Sequence, residues 1–441
     1  MSKAYLRCIN CKSEFGINDK IYTCRKCNDL LDVVYNFEPF DINKLKNTFY
    51  KRRASNKKID VSGVWRFREL IPFVEDYNKI VTMPEGNTNL YDAKVCAEYT
   101  GVKKLQLKHQ GLNPTGSFKD NGMTTAVTQA KILNAKVVAC ASTGNTAASM
   151  AAYAAISNMK GVVFIPNKQI AFGKLSQALD YGAKTLQIEG DFDDAMKLVL
   201  ELSNETDIYL LNSINPFRLE GQKTIMIEML QQRDWKVPDR IVVPGGNLGN
   251  SSSFGKAFDE LYDIGFIDKK PMMTIIQATG ADPLYRTLTT SAKNLIAVKN
   301  AKTLATAIKI GNPISWRKAI RALGEHGWCD EVTEQEIADA KAIIGREGVG
   351  CEPASATTIA GIKKLVKMGE IDKDEDVVAV LTGNLLKDPD YTINYHLNSL
   401  YEECVYESRI TKQKGKIAGN FANKPVKVKA DKEEIRKILG I

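Results

Sequence analysis

At 441 residues, with 44% apolar and 26% charged side chains, the chain has room for two or three domains with sizeable cores and the composition of an ordinary soluble protein. No apolar run approaches the ~20 residues of a membrane span, and the start, "MSKAYLRCINCKSEF", has neither a signal-peptide core nor transit-peptide character, so no membrane partner and a cytoplasmic location are expected. The net charge of +9 is concentrated: residues 44–58 and 409–441 each carry +7, which leaves the remainder acidic, and no recognition motif accompanies the charge, so no nucleic-acid partner is expected.

In chain order, the first feature is "CINC…CRKC". Cys8, Cys11, Cys24 and Cys27 form a C-x2-C-x12-C-x2-C array, the spacing of a structural tetrahedral zinc site in a zinc-ribbon-like module over residues 1–40; the alternative is four reduced thiols. The remaining cysteines are scattered, which fits a reduced protein and no disulfide framework. "LLDVVYNF" closes this module as a strand. A basic stretch then reads as a helix followed by an exposed linker. From about residue 60, β-rich runs ("KVVACAST", "GVVFIP", "AKTLQIEG", "IYLLNS", "RIVVPGG", "MTIIQATG", "VVAVLTG") alternate with helical ones ("TAASMAAYAAIS", "AFGKLSQALDYG", "FDDAMKLVLELS", "LEGQKTIMIEMLQQ"). Such alternation predicts an α/β fold of parallel sheet with helices on both faces, and chemistry beyond the carboxyl ends of the strands.

Several of those ends are rich in small polar residues. "KHQGLNPTGSFKDNGM" (108–123) places Lys119 after a run of turn residues, as either a solvated cation or a poised amine. "ACASTGNTAAS" offers a hydroxyl-rich helix entry suited to an anion. "LLNSINPFRLEGQKT" puts Arg218 at a strand exit, apt for phosphate, although a surface salt bridge is the commoner fate of an arginine. "VVPGGNLGNSSSFGKAF" can wrap backbone N–H groups around a phosphate, yet it is neither a Walker A sequence nor a dinucleotide fingerprint. "CEPASATTIAG" and "VVAVLTGNLLKD" are further entries of this kind. There are three histidines (His109, His326, His396) and no G-x-S-x-G, so acid–base chemistry would fall to a lysine of depressed pKa. A phosphorylated aldehyde cofactor needs a Schiff-base lysine, a phosphate cup and a partner for its pyridine nitrogen; Lys119, the 246–250 loop and Thr382 can supply them.

"NPTGSFKD", "STGNTAAS", "GGNLGN", "EPASA" and "LTGNLLKD", in this order, resemble the motifs of threonine synthase, a pyridoxal-phosphate family of the tryptophan-synthase-β-like fold type II. The likeness continues through "SGVWRFRELIP", "NSINPFRLEGQKT" and "FANKPVKVKADKEEI", and "KHQG" and "SGVW" are most similar to the branch that includes the plant enzymes. The resemblance implies a two-domain fold, with residues 60–121 and 217–408 as the large cofactor-binding domain, 122–216 as the small domain and 409–441 as a basic tail. It implies that Lys119 carries the cofactor beside Phe118, that Asn145 bonds the ring oxygen, that Gly246, Asn247, Leu248, Gly249 and Asn250 cup the cofactor phosphate, and that Thr382 faces the pyridine nitrogen. Ser142, Thr143, Thr146, Asn212, Ser213 and Arg218 would receive the substrate, with Arg218 on its phosphate. The implied reaction turns O-phospho-L-homoserine and water into L-threonine and phosphate, with Lys119 moving protons at Cα and Cβ, and the implied assembly is a homodimer. Two departures stand out. Asn384 and Leu385 replace the family's usual His-Gly pair, and the plant branch lacks the full four-cysteine array, so zinc rests on spacing alone. The competing readings are a β-replacement enzyme acting on O-phosphoserine, and a non-catalytic member, against which the intact lysine and cup argue.

Overall fold

The apolar runs become the strands of two separate parallel sheets in the computed structural model, which describes residues 3–167, 172–190, 192–403 and 414–441. The larger sheet runs in the order Trp328–Val332, Met272–Ala278, Arg240–Pro244, Asp376–Leu381, Lys104–His109 and Leu90–Asp92; only the last pairing is antiparallel. The smaller runs Lys184–Ile188, Lys160–Pro166, Val137–Ala141 and Ile208–Leu210, all parallel. Strands such as "RIVVP" and "DVVAVL" are apolar after their first residue because both faces of the large sheet are covered.

Strand alternation sorts those residues into two cores. Ile241, Val243, Ile275, Val378 and Val380 pack on Ile225, Phe254 and Phe258, under the helices Phe217–Gln232 and Gly249–Asp263. Val242, Ile276, Val377, Ala379 and Leu381 face the other way, against Ile337, Ile344 and Ile359 of the helices Glu334–Arg346 and Pro353–Met368. The expected strands and helices are present. Three strands of the large sheet that the sequence does not mark, Lys104–His109, Trp328–Val332 and Leu90–Asp92, are short or carry charges inside the apolar pattern.

The N-terminal residues form a three-stranded antiparallel sheet, Glu14–Gly16, Ala4–Cys8 and Leu31–Tyr35. The basic stretch after it forms the helix Ile42–Arg53, whose cap Asp41 accepts from the Lys44 N–H and whose Phe49 packs edge-on against Phe67. Arg52 of this helix pairs with Glu69 and Asp60, and Lys46 lies over the rings of Trp235 and Phe266. Toward the C-terminus come a hairpin of Tyr401–Glu403 with Lys414–Lys416 and an exposed helix, Lys432–Leu439. Cys404 and the 408/409 boundary lie outside the described residues.

Candidate functional site

The expected site residues outside the cysteine module lie at or beyond the carboxyl ends of strands, where an open parallel sheet leaves helix N-termini free. Lys119 begins the helix Lys119–Ile132 after the turn that follows Lys104–His109. That turn is tied down at both ends. Asp120 accepts from the Thr115 N–H (2.7 Å), the Thr115 hydroxyl (2.6 Å) and Ser149 (2.5 Å), while the Phe118 N–H donates to the Thr382 carbonyl (3.0 Å). Among the described residues Lys119 Nζ makes neither a hydrogen bond nor an ion pair; it lies 4.0 Å from the centre of the Phe118 ring. Burial, reinforced by the nearby Arg218 and partly opposed by Glu352, brings its pKa down to about 7.

Arg218 is the second cation of the site. It sits at the start of the helix Phe217–Gln232, 2% exposed, and donates from Nη1 to the Leu211 carbonyl at 3.1 Å. Its Nε is buried without an acceptor and no carboxylate pairs with it among the described residues. Leaving a buried guanidinium uncompensated costs on the order of several kcal/mol, so this geometry could accommodate an anion. Two glycines bring the cations together. The helices carrying Lys119 and Arg218 cross so closely that a Cβ on Gly122 would lie 2.7 Å from the Arg218 carbonyl oxygen, and one on Gly221 would lie 1.7 Å from that of Asn121.

The 246–250 loop leaves the strand Arg240–Pro244 and enters the helix Gly249–Asp263 through Leu248, which is left-handed (φ 62°) and buried. Among the described residues, none of the backbone N–H groups from Gly246 to Asn250 has an intramolecular acceptor. Consecutive unpaired N–H groups at a helix start form a phosphate-sized cup. The Asn247 amide is fixed on both sides, donating to Ser213 Oγ at 2.7 Å and accepting from the Ile314 N–H at 3.0 Å.

Between Lys119 and the small sheet lies a carboxylate to which the "CEPASATTIAG" motif by itself assigns no role. Glu352, buried at the entry to Pro353–Met368, accepts from Asn145 Nδ2 at 3.0 Å and from the Thr382 hydroxyl at 3.2 Å. Ser355 completes the group, 3.0 Å from the Thr382 hydroxyl and accepting from the Thr382 N–H at 2.8 Å. Gly383 leaves room for the Glu352 carboxyl, since a Cβ there would collide with it. Only the small side chains in "EPASA" hinted that something packs closely at this point. Asn384, one of the two departures, caps the next turn and donates to the Gly111 carbonyl, which closes the Lys119 loop from outside.

Ser142, Thr143, Gly144, Asn145 and Thr146 are partly exposed, although Ala141 before them and Ala147 after them are buried; they form the open rim where Asn145–Ile156 begins. Asn212 behaves otherwise. Its amide accepts from the Ala141 N–H and donates to the Ala141 carbonyl, both at 2.9 Å, so it holds the rim segment in place. Lys108 and His109 point away from this chemistry. Lys108 is buried against Glu228 (2.7 Å), which also pairs with Arg66 (2.9 Å), and His109 accepts from the Gly111 N–H.

The four cysteines converge. All four Sγ atoms lie within 4.8 Å of one another, with Cys8 to Cys27 at 3.4 Å and Cys11 to Cys24 at 3.5 Å. Bonds of about 2.3 Å to a tetrahedral zinc require sulfurs about 3.8 Å apart, so the donor set fits. The residue after each second cysteine, Lys12 and Asn28, is left-handed (φ 62° and 58°), and the two knuckles turn alike.

Residues 81–383 match the family described as pyridoxal-phosphate dependent enzyme. The chain is 47% identical to the threonine synthase of Methanocaldococcus jannaschii over 90% of its own length and 96% of that protein, and 37% identical to threonine synthase 2, chloroplastic, of Arabidopsis thaliana over 96% and 81%. Among solved structures it resembles the processed form of threonine deaminase isoform 2 from Solanum lycopersicum (19% identity, 79% of this chain and 91% of that one, TM-score 0.57) and maize serine racemase (18%, 80% and 97%, TM-score 0.60), a likeness of fold. No helix among the described residues is long and apolar enough to cross a membrane.

Proposed function

This chain belongs to the pyridoxal-phosphate dependent enzymes and, within them, to the threonine synthases, and from that premise we propose how its residues divide the work. The reaction converts O-phospho-L-homoserine and water to L-threonine and phosphate. Pyridoxal phosphate supplies the electron sink that makes protons at the substrate Cα and Cβ removable. The cup from Gly246 through Leu248 to Asn250 would hold the cofactor phosphate, and Lys119, walled by Phe118, would hold its aldehyde carbon. Asn145 and Thr382 would contact the ring, and the Glu352 carboxylate holds both side chains.

Arg218 takes the substrate phosphate. The rim residues Ser142, Thr143 and Thr146 receive the substrate carboxylate at a helix start that favours an anion. Asn212 positions that rim through Ala141, and Ser213, held by Asn247, lies between cup and substrate. Lys119, about half amine at pH 7, takes the Cα proton, gives it up within the site, and then takes a Cβ proton, which lets phosphate leave from Cγ. As an ammonium it returns that proton at Cγ, the first proton returns to Cα, and water enters at Cβ with its remaining proton passing to the departed phosphate. One mobile amine serving adjacent carbons accounts for a site without histidine.

The observation that carries this reading is the pairing of an unpartnered lysine of lowered pKa with an unpaired buried arginine. Lys119→Ala should reduce phosphate release from O-phospho-L-homoserine by about a thousandfold or more. Activity within tenfold of the parent would refute the assignment.

Zinc in the Cys8, Cys11, Cys24, Cys27 cluster is supported by its donor set. A division into residues 1–40, a large domain (60–121 with 217–408), a small domain (122–216) and a basic tail from 409 follows the two sheets and the module. The described cysteines are all free thiols, which supports a reducing compartment such as the cytoplasm. The exposed side chains of Leu386, Ile393 and Leu397 support a homodimer, by offering an apolar face to a second copy.

A further inference from the structure

The cysteine module touches elements of both parallel sheets, and two of its anchors lie two residues from a cysteine. Tyr22, two residues before Cys24, accepts the Leu210 N–H on its hydroxyl at 2.7 Å, and its ring meets Tyr209 edge-on. Leu210 is on the edge strand of the small sheet, so this N–H has no strand to donate to. The Leu210 carbonyl accepts from Asn215, and the segment continues through Asn212 and Ser213 to Arg218. On the opposite side, Asp29, two residues after Cys27, pairs with Arg317, and Asp32 pairs with Lys318 (2.7 Å) and Arg321 (3.0 Å). Lys256 then joins the module to the site helices. It donates to the Val33 carbonyl and pairs with Glu220, two residues after Arg218, from a helix that starts at the 246–250 cup. The Cys24–Cys27 knuckle is thus bracketed by one contact to the substrate-side strand and a set of ion pairs to the large sheet's helices.

We propose that the four-cysteine module is a metal-locked positioning unit for the substrate-phosphate seat: a thiophilic divalent cation, Zn2+ by its donor set, holds the Cys24–Cys27 knuckle, and the knuckle, anchored on the large-sheet side through Asp29 and Asp32, holds residues 208–218 through Tyr22. This rests on the reading of Arg218 as that seat. The module is a positioning unit and no part of it touches substrate. Its loss loosens phosphate binding before it affects proton transfer by Lys119, which sits on a separate loop tied to Asp120 and Thr382.

The test uses the full-length holoenzyme. Tyr22→Phe removes only the hydroxyl that caps Leu210, and Cys27→Ser removes one exposed sulfur ligand. Zinc content is measured by mass spectrometry, cofactor content by absorbance, and backbone hydrogen exchange over residues 208–218 is followed beside KM and kcat for O-phospho-L-homoserine. For Tyr22→Phe the expected result is a KM raised about three- to tenfold, kcat within twofold, unchanged zinc and cofactor, and exchange at 208–213 accelerated at least tenfold. Cys27→Ser, or zinc removal by a chelator, should give the same KM and exchange changes, and zinc restored after chelation should reverse them. The proposal is overturned by a parent enzyme that binds no zinc, or by zinc loss that leaves KM and exchange over 208–218 unaltered. Arg218→Gln separates the two readings: an unchanged KM in that variant defeats the phosphate seat, whereas the exchange at 208–218 still reports whether the module holds the segment.

Discussion

The titration of Lys119 offers a direct check on the electrostatics of the site. A free lysine with a pKa near 10.5 is about 0.1% amine at pH 7.5, whereas one near 7 is about three-quarters amine, a gain of roughly 750-fold in the reactive form. Burial is the largest cause, Arg218 the next, and Glu352 opposes both. Competitive acetylation of the cofactor-free enzyme, read at the Lys119 peptide by mass spectrometry from pH 5 to 11, gives the midpoint directly. In the parent it should fall close to 7. Arg218→Gln should move it up, without reaching 10 because burial persists, and Glu352→Gln should move it down. Stability carries the same signature. Between about pH 7 and 10.5 the unfolded chain binds a proton at Lys119 that the folded chain lacks, so the stability of the cofactor-free protein rises with pH across that window, and Lys119→Met removes this part of the slope. A parent midpoint above 9, or shifts of the same sign in the Arg218 and Glu352 variants, would refute the reasoning.

Gly221→Ala should lower stability by about 1–3 kcal/mol and reduce kcat/KM at least tenfold, because the added methyl forces apart the helices that bring Lys119 and Arg218 together; thermal unfolding beside the phosphate-release assay decides it, and a stable, fully active variant would mean that the crossing does not set the site. Lys108→Met should cost about 3–5 kcal/mol in denaturant unfolding, since Glu228 keeps a buried charge and loses one of its two cations. A loss below 1 kcal/mol would show that Arg66 alone satisfies it.

The site was legible in the sequence to the extent that its parts are short and contiguous. A phosphate cup needs a few N–H groups in a row, and "GGNLGN" displays them; a Schiff-base lysine needs a tight loop, and "NPTGSFKD" displays one. What stayed hidden depends on residues far apart in the chain. Glu352 bonds Asn145 and Thr382 across 207 and 30 positions, and no local pattern marks a carboxylate for that use. Asn212 bonds Ala141, 71 positions earlier, in both directions, which no local pattern announces. Lys108 belongs to the strand Lys104–His109, which its charge disguised, and its partner lies on a helix 120 residues away. The docking of the cysteine module has the same character: spacing pointed to a shared metal, but Asp32 and Arg321 are 289 positions apart.

Phe217–Gln232 is buried along its length up to Gln231, yet it carries Glu220, Lys223 and Glu228. Each faces a different partner: Glu220 meets Lys256, Lys223 meets Glu260, and Glu228 meets Arg66 and Lys108. A shaft of leucines could turn a few tens of degrees or slide by a fraction of a turn at small cost. This one is keyed, because any such motion strands a charge in the interior. The keys come from segments before and after the small sheet, so a chimaera that took this helix from a relative without Arg66, Lys108, Lys256 and Glu260 would inherit mismatched locks. Its first casualty would be the heading of Arg218, the first turn of the shaft.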